Sequence, residues 1–192
     1  MTGTETNLPR PSLFGDHQVL TAAGVVSTLR MLAPDFIVSR ANIIEGRASA
    51  RLRGRIEVYP THPKIVVDVC HNESAAHELL LFLMENRIAG RHYAIFSMLE
   101  DKPIKRVVSM FRQVVDSWHI TELESARSMS IEHLKKILNA HTSNPVSCCS
   151  SPGQALQQVR NLAEPDDRII VFGSTYLAGA IISIMDRERC NA

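Results

Sequence analysis

The stretch KIVVDVCHNESAA, residues 64–76, decides how this chain folds. Ile65, Val66, Val67 and Val69 form a short β-branched run, the composition of a buried strand. An acid, Asp68, stands close to the end of that run. A polar elbow, His71-Asn72-Glu73-Ser74, follows at once. Ala75, Ala76, Leu79, Leu80 and Leu83 then recur near a helical period. Strand, polar elbow and helix is the way doubly wound α/β proteins place ligand groups, beyond the carboxyl ends of parallel strands.

Downstream the alternation repeats. HYAIFSM (92–98) reads as a strand, Leu99-Glu100-Asp101-Lys102 as an elbow, and Pro103 suits a first helical turn. Ile104, Val107, Val108, Phe111 and Val115 give one helical stripe. SWHIT (117–121) is a short strand followed by a polar, irregular 122–129. Ser130 can cap a helix carrying Ile131, Leu134 and Leu138. Residues 145–149 form a strand, and Ser151-Pro152-Gly153-Gln154 is a capping box with proline at N1. RIIVF (168–172) is the last buried strand, Gly173-Ser174-Thr175 its elbow, and 176–186 an apolar helix. This order predicts an α/β fold, a mostly parallel sheet with helices on both faces.

Upstream, residues 16–32 look helical despite Gly24, and Pro34 stops them. Residues 38–50 read as a second helix with Ile43, Ile44 and Ala48 on its apolar side. Gly54-Arg55-Ile56-Glu57-Val58 reads as a strand. The domain expectation is a disordered leader over 1–13, an appended helical pair over 14–50, and the α/β domain over 51–192.

Composition narrows the classes. Of 192 residues 45% are hydrophobic and 21% charged, an ordinary globular balance. A net charge of +1 gives no global field that selects nucleic acid or an anionic membrane. Cys70, Cys148, Cys149 and Cys190 lack zinc-like spacing and read as reduced thiols of a cytoplasmic protein. No apolar run approaches the roughly 20 residues of a membrane helix. The leader lacks the apolar core of a secretory signal.

The elbows carry Asp68, His71 and Asn72, then residues 97–102 with Lys102, then 124–127, then Gly173 and Ser174. In a parallel sheet they converge on one edge, offering a histidine, cations and helix N-termini to a ligand with phosphate or carboxylate groups. Each has a plainer reading: His71 as a loop histidine, Lys102 as a solvated lysine, Ser174 as an N-cap. Asp68 is the least plain, because an acid within a β-branched run needs partners when buried. Arg40, Arg47, Arg51, Arg53 and Arg55 crowd together as a solvated face, as a polyanion-binding patch, or as a background to one arginine held on a strand and aimed at phosphate. No Walker A loop, G-x-G-x-x-G, G-x-S-x-G or H-E-x-x-H motif occurs, and no metal site is expected.

Six segments in order are FGDHQ (14–18), LRGRIEV (52–58), DVCHN (68–72), SMLEDK (97–102), ESARS (124–128) and GSTYLAG (173–179). The set resembles the C-terminal part of folylpolyglutamate synthase/dihydrofolate synthase, a branch of the Mur ligase superfamily with a Rossmann-like C-terminal domain. The family patterns are close to H-Q-x-x-N-A, P-G-R-x-E, D-x-A-H-N-P, G-x-L-x-D-K-D and G-S-x-Y-x-x-G. The resemblance implies an ATP- and Mg2+-dependent ligase that joins L-glutamate to a folate or dihydropteroate carboxyl through an acyl phosphate. It implies that 14–50 is the tail of a central P-loop domain, without which this part is inactive and binds no cofactor of its own. Carried over by motif, Arg55 reaches the ATP phosphates, Asp68 the ribose, and Asn72 lies on the nucleotide side. His71 sits at the ATP–glutamate junction, and Lys102 and Ser174 hold glutamate's carboxylates, His71 and Lys102 being the catalytic pair.

Departures from those patterns are specific. Thr21 replaces the asparagine, Cys70 the alanine, Glu73 the proline, Ser97 the glycine and Pro103 the acid. Glu73 places an anion beside the expected phosphate site. These changes keep open a non-catalytic small-anion-binding or interaction module on the same fold.

Overall fold

The computed structural model of the protein describes residues 8–33 and 35–191. Pro34, the expected helix stop, and residues 1–7 of the expected leader lie outside the described residues. The chain forms two compact units, one running to Arg53 and one from Gly54.

The first unit is a helical pair, α1 (Asp16–Met31) and α2 (Arg40–Ser49). Ser39 starts α2 with a reciprocal box: its Oγ accepts the Asn42 amide at 3.1 Å, and Asn42 Oδ1 accepts the Ser39 amide at 3.2 Å. Within the two helices only Val26 and Ile43 are buried. Val25, Met31, Phe36 and Ile37 stay exposed.

The second unit carries six strands: β1 (Glu57–Tyr59), β2 (Lys64–Val67), β3 (His92–Phe96), β4 (Ser117–Thr121), β5 (Val146–Cys149) and β6 (Arg168–Phe172). Five helices alternate with them: α3 (Glu73–Glu85), α4 (Ile104–Phe111), α5 (Ile131–His141), α6 (Pro152–Leu162) and α7 (Thr175–Cys190). The sheet order is β1-β2-β6-β3-β4-β5, parallel except for β1, which pairs antiparallel with β2. Strand β6 is thus inserted between β2 and β3. The chain leaves β2 in one direction and proceeds through β3, β4 and β5 on the other side of β6, which makes the β2/β6/β3 edge a topological switch point.

Alternation along each strand builds two cores. Val66, Ala94, Phe96, Ile170 and Phe172 face α3, α4 and α5. Ile65, Val67, Tyr93, Ile95, Ile169 and Val171 face α6 and α7. Phe172 anchors the first core, with ring centroids 4.4 Å from Phe111, 5.1 Å from Phe96 and 6.0 Å from Trp118. Such aromatic pairs contribute about 0.5–1.5 kcal/mol each beyond their buried area. All four cysteines are free. Cys148 is exposed and Cys149 buried, as neighbours on a strand must be.

Three local expectations need correction. The strand read over 54–58 begins only at Glu57, because Gly54 and Ile56 both take positive φ, 68° and 45°, and form a turn. The stripe through Val115 overstates the fourth helix, which ends at Phe111; Val115 is buried from a following turn by donating its amide to Phe111 O at 2.9 Å. The box at Ser151 is half formed. Ser151 Oγ accepts the Gln154 amide at 3.1 Å, but Gln154 Oε1 accepts from Ser150 Oγ at 2.9 Å instead.

His119, on β4, lies in the core with 1% of its surface exposed, and its Nδ1 has no hydrogen-bond partner. Burial holds this imidazole below the usual histidine range, and the Gln158 side chain offsets only part of that. The folded state therefore binds fewer protons here than the unfolded chain. This contribution is fully present above about pH 6.5 and is lost as pH falls from there towards the lowered folded value. Denaturant titrations between about pH 7.5 and 5 should show stability falling by at most about 1.4 kcal/mol per pH unit from this group. His119→Gln should remove that part of the slope. His92, also lowered by burial and by Arg168, supplies a second, independent part.

Candidate ligand site

Four polar elbows meet at the carboxyl edge of β2, β6, β3 and β4. A cleft of about 240 Å³ there is lined by His71, Leu99, Lys102, Arg127, Gly173, Ser174, Thr175 and Tyr176. His71, Lys102 and Ser174, the residues that sequence marks, line one cleft. Arg127 and Thr175 join them from elbows that the sequence also brings to this edge without singling out either residue, and Tyr176 joins without any mark. Arg127 belongs to the 124–127 elbow expected at this edge, but nothing in that segment reveals the contact by which it folds back on the β3 elbow. It does so through a Leu99–Ser128 bridge and the Glu100 amide donating to Arg127 O at 3.0 Å.

Each wall has a local cause. Gly173 takes φ 117°, which turns the chain sharply off β6 and starts α7 flush against the end of β3. Ser174 caps α7, its Oγ accepting the Leu177 amide at 3.0 Å. The hydroxyl proton remains to be donated, and the first amides of a 16-residue helix open on the same edge. Asn72 caps α3 through Oδ1, which accepts the Ala75 amide at 2.9 Å.

His71 Nδ1 lies 3.0 Å from Val69 O. A carbonyl only accepts, so Nδ1 carries the hydrogen, and in the neutral ring Nε2 is the nitrogen that can accept a proton. Lys102 Nζ is 2.7 Å from Asp101 Oδ2, and Arg127 Nη1 is 3.8 Å from Asp101 Oδ1. The Lys102 ammonium, and to a lesser degree Arg127, hold the Asp101 carboxyl below its usual range. Two cations against one carboxylate leave one positive charge in excess, suited to an anion.

Arg55 does not stand on a strand. It occupies the turn between Gly54 and Ile56, where its charge is felt by the Asp68 carboxyl. Asp68 lies just past β2, 4% exposed. Its Oδ2 accepts the Ile56 amide at 2.8 Å and its Oδ1 the Cys70 amide at 2.7 Å. Burial nevertheless raises the Asp68 carboxyl above its usual range, against the pull of those two amides and of Arg55. Cys70 is fully buried, and burial and Asp68 together push its thiol well up, so it acts as a small apolar residue where the family pattern has alanine.

The anion expected from Glu73 is balanced: Arg106 Nη1 donates to Glu73 Oε1 at 2.8 Å, and Glu73 sits in the first turn of α3, where a negative charge is favourable. Thr21 directs its Oγ1 at His17 O, 3.0 Å away, within α1. Arg51 is tied to Ala48 O and Ala50 O at 3.1 and 2.8 Å, so the arginines around it do not form one uniform free patch. Among the described residues no group of three His, Cys, Asp or Glu side chains comes together to hold a metal. Nor is any helix among them long and apolar enough to cross a membrane.

Known proteins with this arrangement are consistent with one another. The chain is 32% identical over 187 residues to the dihydrofolate synthase/folylpolyglutamate synthase of Escherichia coli strain K12, a match that covers 97% of this chain and 42% of that protein. The solved E. coli FolC in complex with DHPP and ADP superposes with a TM-score of 0.82 at 31% identity, over 97% of this chain and 42% of its own. A bifunctional folylpolyglutamate synthase/dihydrofolate synthase with Mn, AMPPNP and L-glutamate bound gives 0.76 at 28% identity, over 94% and 42%. The chain therefore spans less than half the length of the relatives it matches. Residues 54–175 match the family described as Mur ligase, glutamate ligase domain, and the chain belongs to that family.

Proposed function

We propose that this chain is the C-terminal, glutamate-binding domain of an ATP-dependent ligase of the folylpolyglutamate/dihydrofolate synthase kind. The observation that carries this is the convergence of His71, Lys102, Arg127 and Ser174 from four separate elbows on one positively charged cleft. Lys102 and the Ser174 hydroxyl, with the α7 amides behind it, hold the two carboxylates of L-glutamate. His71, with Nε2 unprotonated, takes a proton from the glutamate ammonium and frees its amine to attack. Arg55 faces the ATP phosphates, with Asp68 and Asn72 on the nucleotide side.

ATP, as co-substrate, supplies the γ-phosphoryl group that activates a folate or dihydropteroate carboxyl as an acyl phosphate. Glutamate's nitrogen then bonds to the acyl carbon, the carbon–oxygen bond to phosphate breaks, and inorganic phosphate leaves. The phosphate cradle, the Mg2+ ligands and the acceptor wall lie in a central P-loop domain of the complete enzyme. Residues 14–50 are the tail of that domain. An apolar cleft of about 330 Å³ between their helices, with Val25, Val26, Leu29 and Ile43 on its walls, supports the view that further chain covers them.

Titration calorimetry on the chain tests this. L-Glutamate and ATP should bind at about millimolar or tighter, and folate should not. Mixing the chain with a P-loop domain of the same family should yield acceptor heavier by one glutamyl residue. Absence of binding by glutamate and ATP would favour the non-catalytic interaction module instead.

A further inference from the structure

Arg55 stands between two residues of positive φ, Gly54 at 68° and Ile56 at 45°, so whatever fixes Gly54 sets the direction of the Arg55 side chain. The place demands glycine: a Cβ on Gly54 would lie 2.9 Å from Val69 Cγ1. Glycine is also the least restrained residue, since it takes either sign of φ at little cost. A side chain at 54 cannot stiffen this turn, and hydrogen bonds must hold it instead. The Gly54 carbonyl accepts the Val69 amide at 2.8 Å, just past the end of β2. The Gly54 amide donates to Glu57 Oε2 at 2.8 Å. The other oxygen of that carboxylate is engaged as well: the Tyr59 hydroxyl donates to Glu57 Oε1 at 2.9 Å. Glu57 and Tyr59 are two apart on β1 and share one of its faces. Tyr59 is buried in the core that faces α6 and α7.

We infer that Glu57 is a positioning residue: its carboxylate links the Gly54 amide to the buried Tyr59 hydroxyl and so presents Arg55 in one fixed orientation. The inference rests on the reading of Arg55 as a phosphate-facing residue, and it leaves Asp68 on the nucleotide side. A carboxylate suits the role because each oxygen serves one of the two donors. A side-chain amide of the same shape serves equally, its oxygen accepting from Gly54 and its nitrogen donating to the Tyr59 oxygen. Without either, the peptide entering Gly54 is free to rotate. Arg55 is then in its binding position only part of the time, and apparent affinity falls by that fraction.

A cycle of variants on the full chain tests this, read by amide hydrogen exchange at Gly54 and by Mg2+-ATP titration. Glu57→Ala should speed exchange of the Gly54 amide about tenfold or more. It should weaken ATP by roughly 3- to 30-fold, and by no more than Arg55→Ala does. Combined with Arg55→Ala it should cost nothing further, because Glu57 acts on ATP only through that arginine. Glu57→Gln should bind ATP within about threefold of the parent, since both bonds survive. Tyr59→Phe keeps the ring in the core and removes the brace; its loss should be smaller than that of Glu57→Ala and should also vanish beside Arg55→Ala. Should Glu57→Ala not fold, Tyr59→Phe carries the same cycle. Parent-like ATP affinity in Glu57→Ala, where Arg55→Ala weakens it, overturns the inference. So do losses that add in the double variant, which mark general destabilisation or direct contact between Glu57 and nucleotide. So does a Glu57→Gln loss equal to that of Glu57→Ala, which marks charge rather than the two bonds. If the parent chain does not bind ATP, the reading of Arg55 fails, while Gly54 exchange still decides whether Glu57 holds the turn.

Discussion

Gly173→Ala is expected to destabilise the α/β unit by about 3–5 kcal/mol, a large part of the roughly 5–15 kcal/mol that holds a domain together. Two costs combine. The φ of 117° is one that L side chains rarely adopt, worth about 1–3 kcal/mol. A Cβ would also overlap the Ser97 carbonyl oxygen and lie 2.9 Å from Phe96 Cε2, a further overpacking cost of about 1–3 kcal/mol. The neighbours cannot yield easily. Ser97 follows directly on β3, whose Phe96 is in register with Phe172 of β6, and the Phe96 ring is fully buried. A thermal midpoint lower by about 10 °C should result. Gly179→Ala is the counter-experiment: that glycine lies inside α7 with nothing within 4 Å of the place a methyl would take, and the change should stabilise by up to about 1 kcal/mol. A fall of less than about 2 °C for Gly173→Ala would show that the elbow tolerates a side chain. The same variant should lose glutamate binding, because Ser174 and the α7 N-terminus are set by this one turn.

Most of the fold is legible in the chain because its strands are buried on both faces. Runs such as IVV and RIIVF have no polar alternation to misread, and each is followed by an elbow with a capping residue, Asn72 or Ser174. The convergence of those elbows follows from parallel strands alone, which is why His71, Lys102 and Ser174 can be named before any coordinates. What cannot be read is what long-range bonds impose. Ile56 is a strand-forming residue by type, and long-range hydrogen bonds, its own amide to Asp68 Oδ2 and the Val69 amide to Gly54 O, hold it in a turn, so the segment around Arg55 looks extended. Arg127 lies in an irregular loop whose position depends on the Leu99–Ser128 bridge to another elbow. The fourth helix stops at Phe111 although the apolar period runs on to Val115, because the chain must turn there to enter β4 at Ser117, a demand of the sheet that periodicity does not encode. Glu73 looks unfavourable in the sequence because its partner, Arg106, comes from the next helix but one strand away, 33 residues along.

Lys102→Met is expected to weaken L-glutamate binding by roughly 10- to 100-fold, the range of a lost charge-assisted hydrogen bond. The argument is one of local charge. Lys102 and Arg127 face the cleft against Asp101, and removing the lysine leaves one cation against one carboxylate, with no excess to attract an anion. The effect should exceed that of Arg127→Met, because Lys102 has only 29% of its side chain exposed against 63% for Arg127, and water and salt screen it less. Lys102→Arg should recover only part of the affinity. The guanidinium keeps the charge but spreads it over a planar fork, and its place beside Asp101 would favour a bidentate pair that turns it away from the ligand. Asp101→Asn should act in the opposite direction, freeing both cations and tightening anions in general, phosphate included, so that selectivity for glutamate over phosphate falls as affinity rises. Calorimetry of the four variants with L-glutamate and with inorganic phosphate separates these outcomes. Equal affinity in the parent and Lys102→Met would place the glutamate carboxylates elsewhere and leave the lysine as a partner of Asp101 alone.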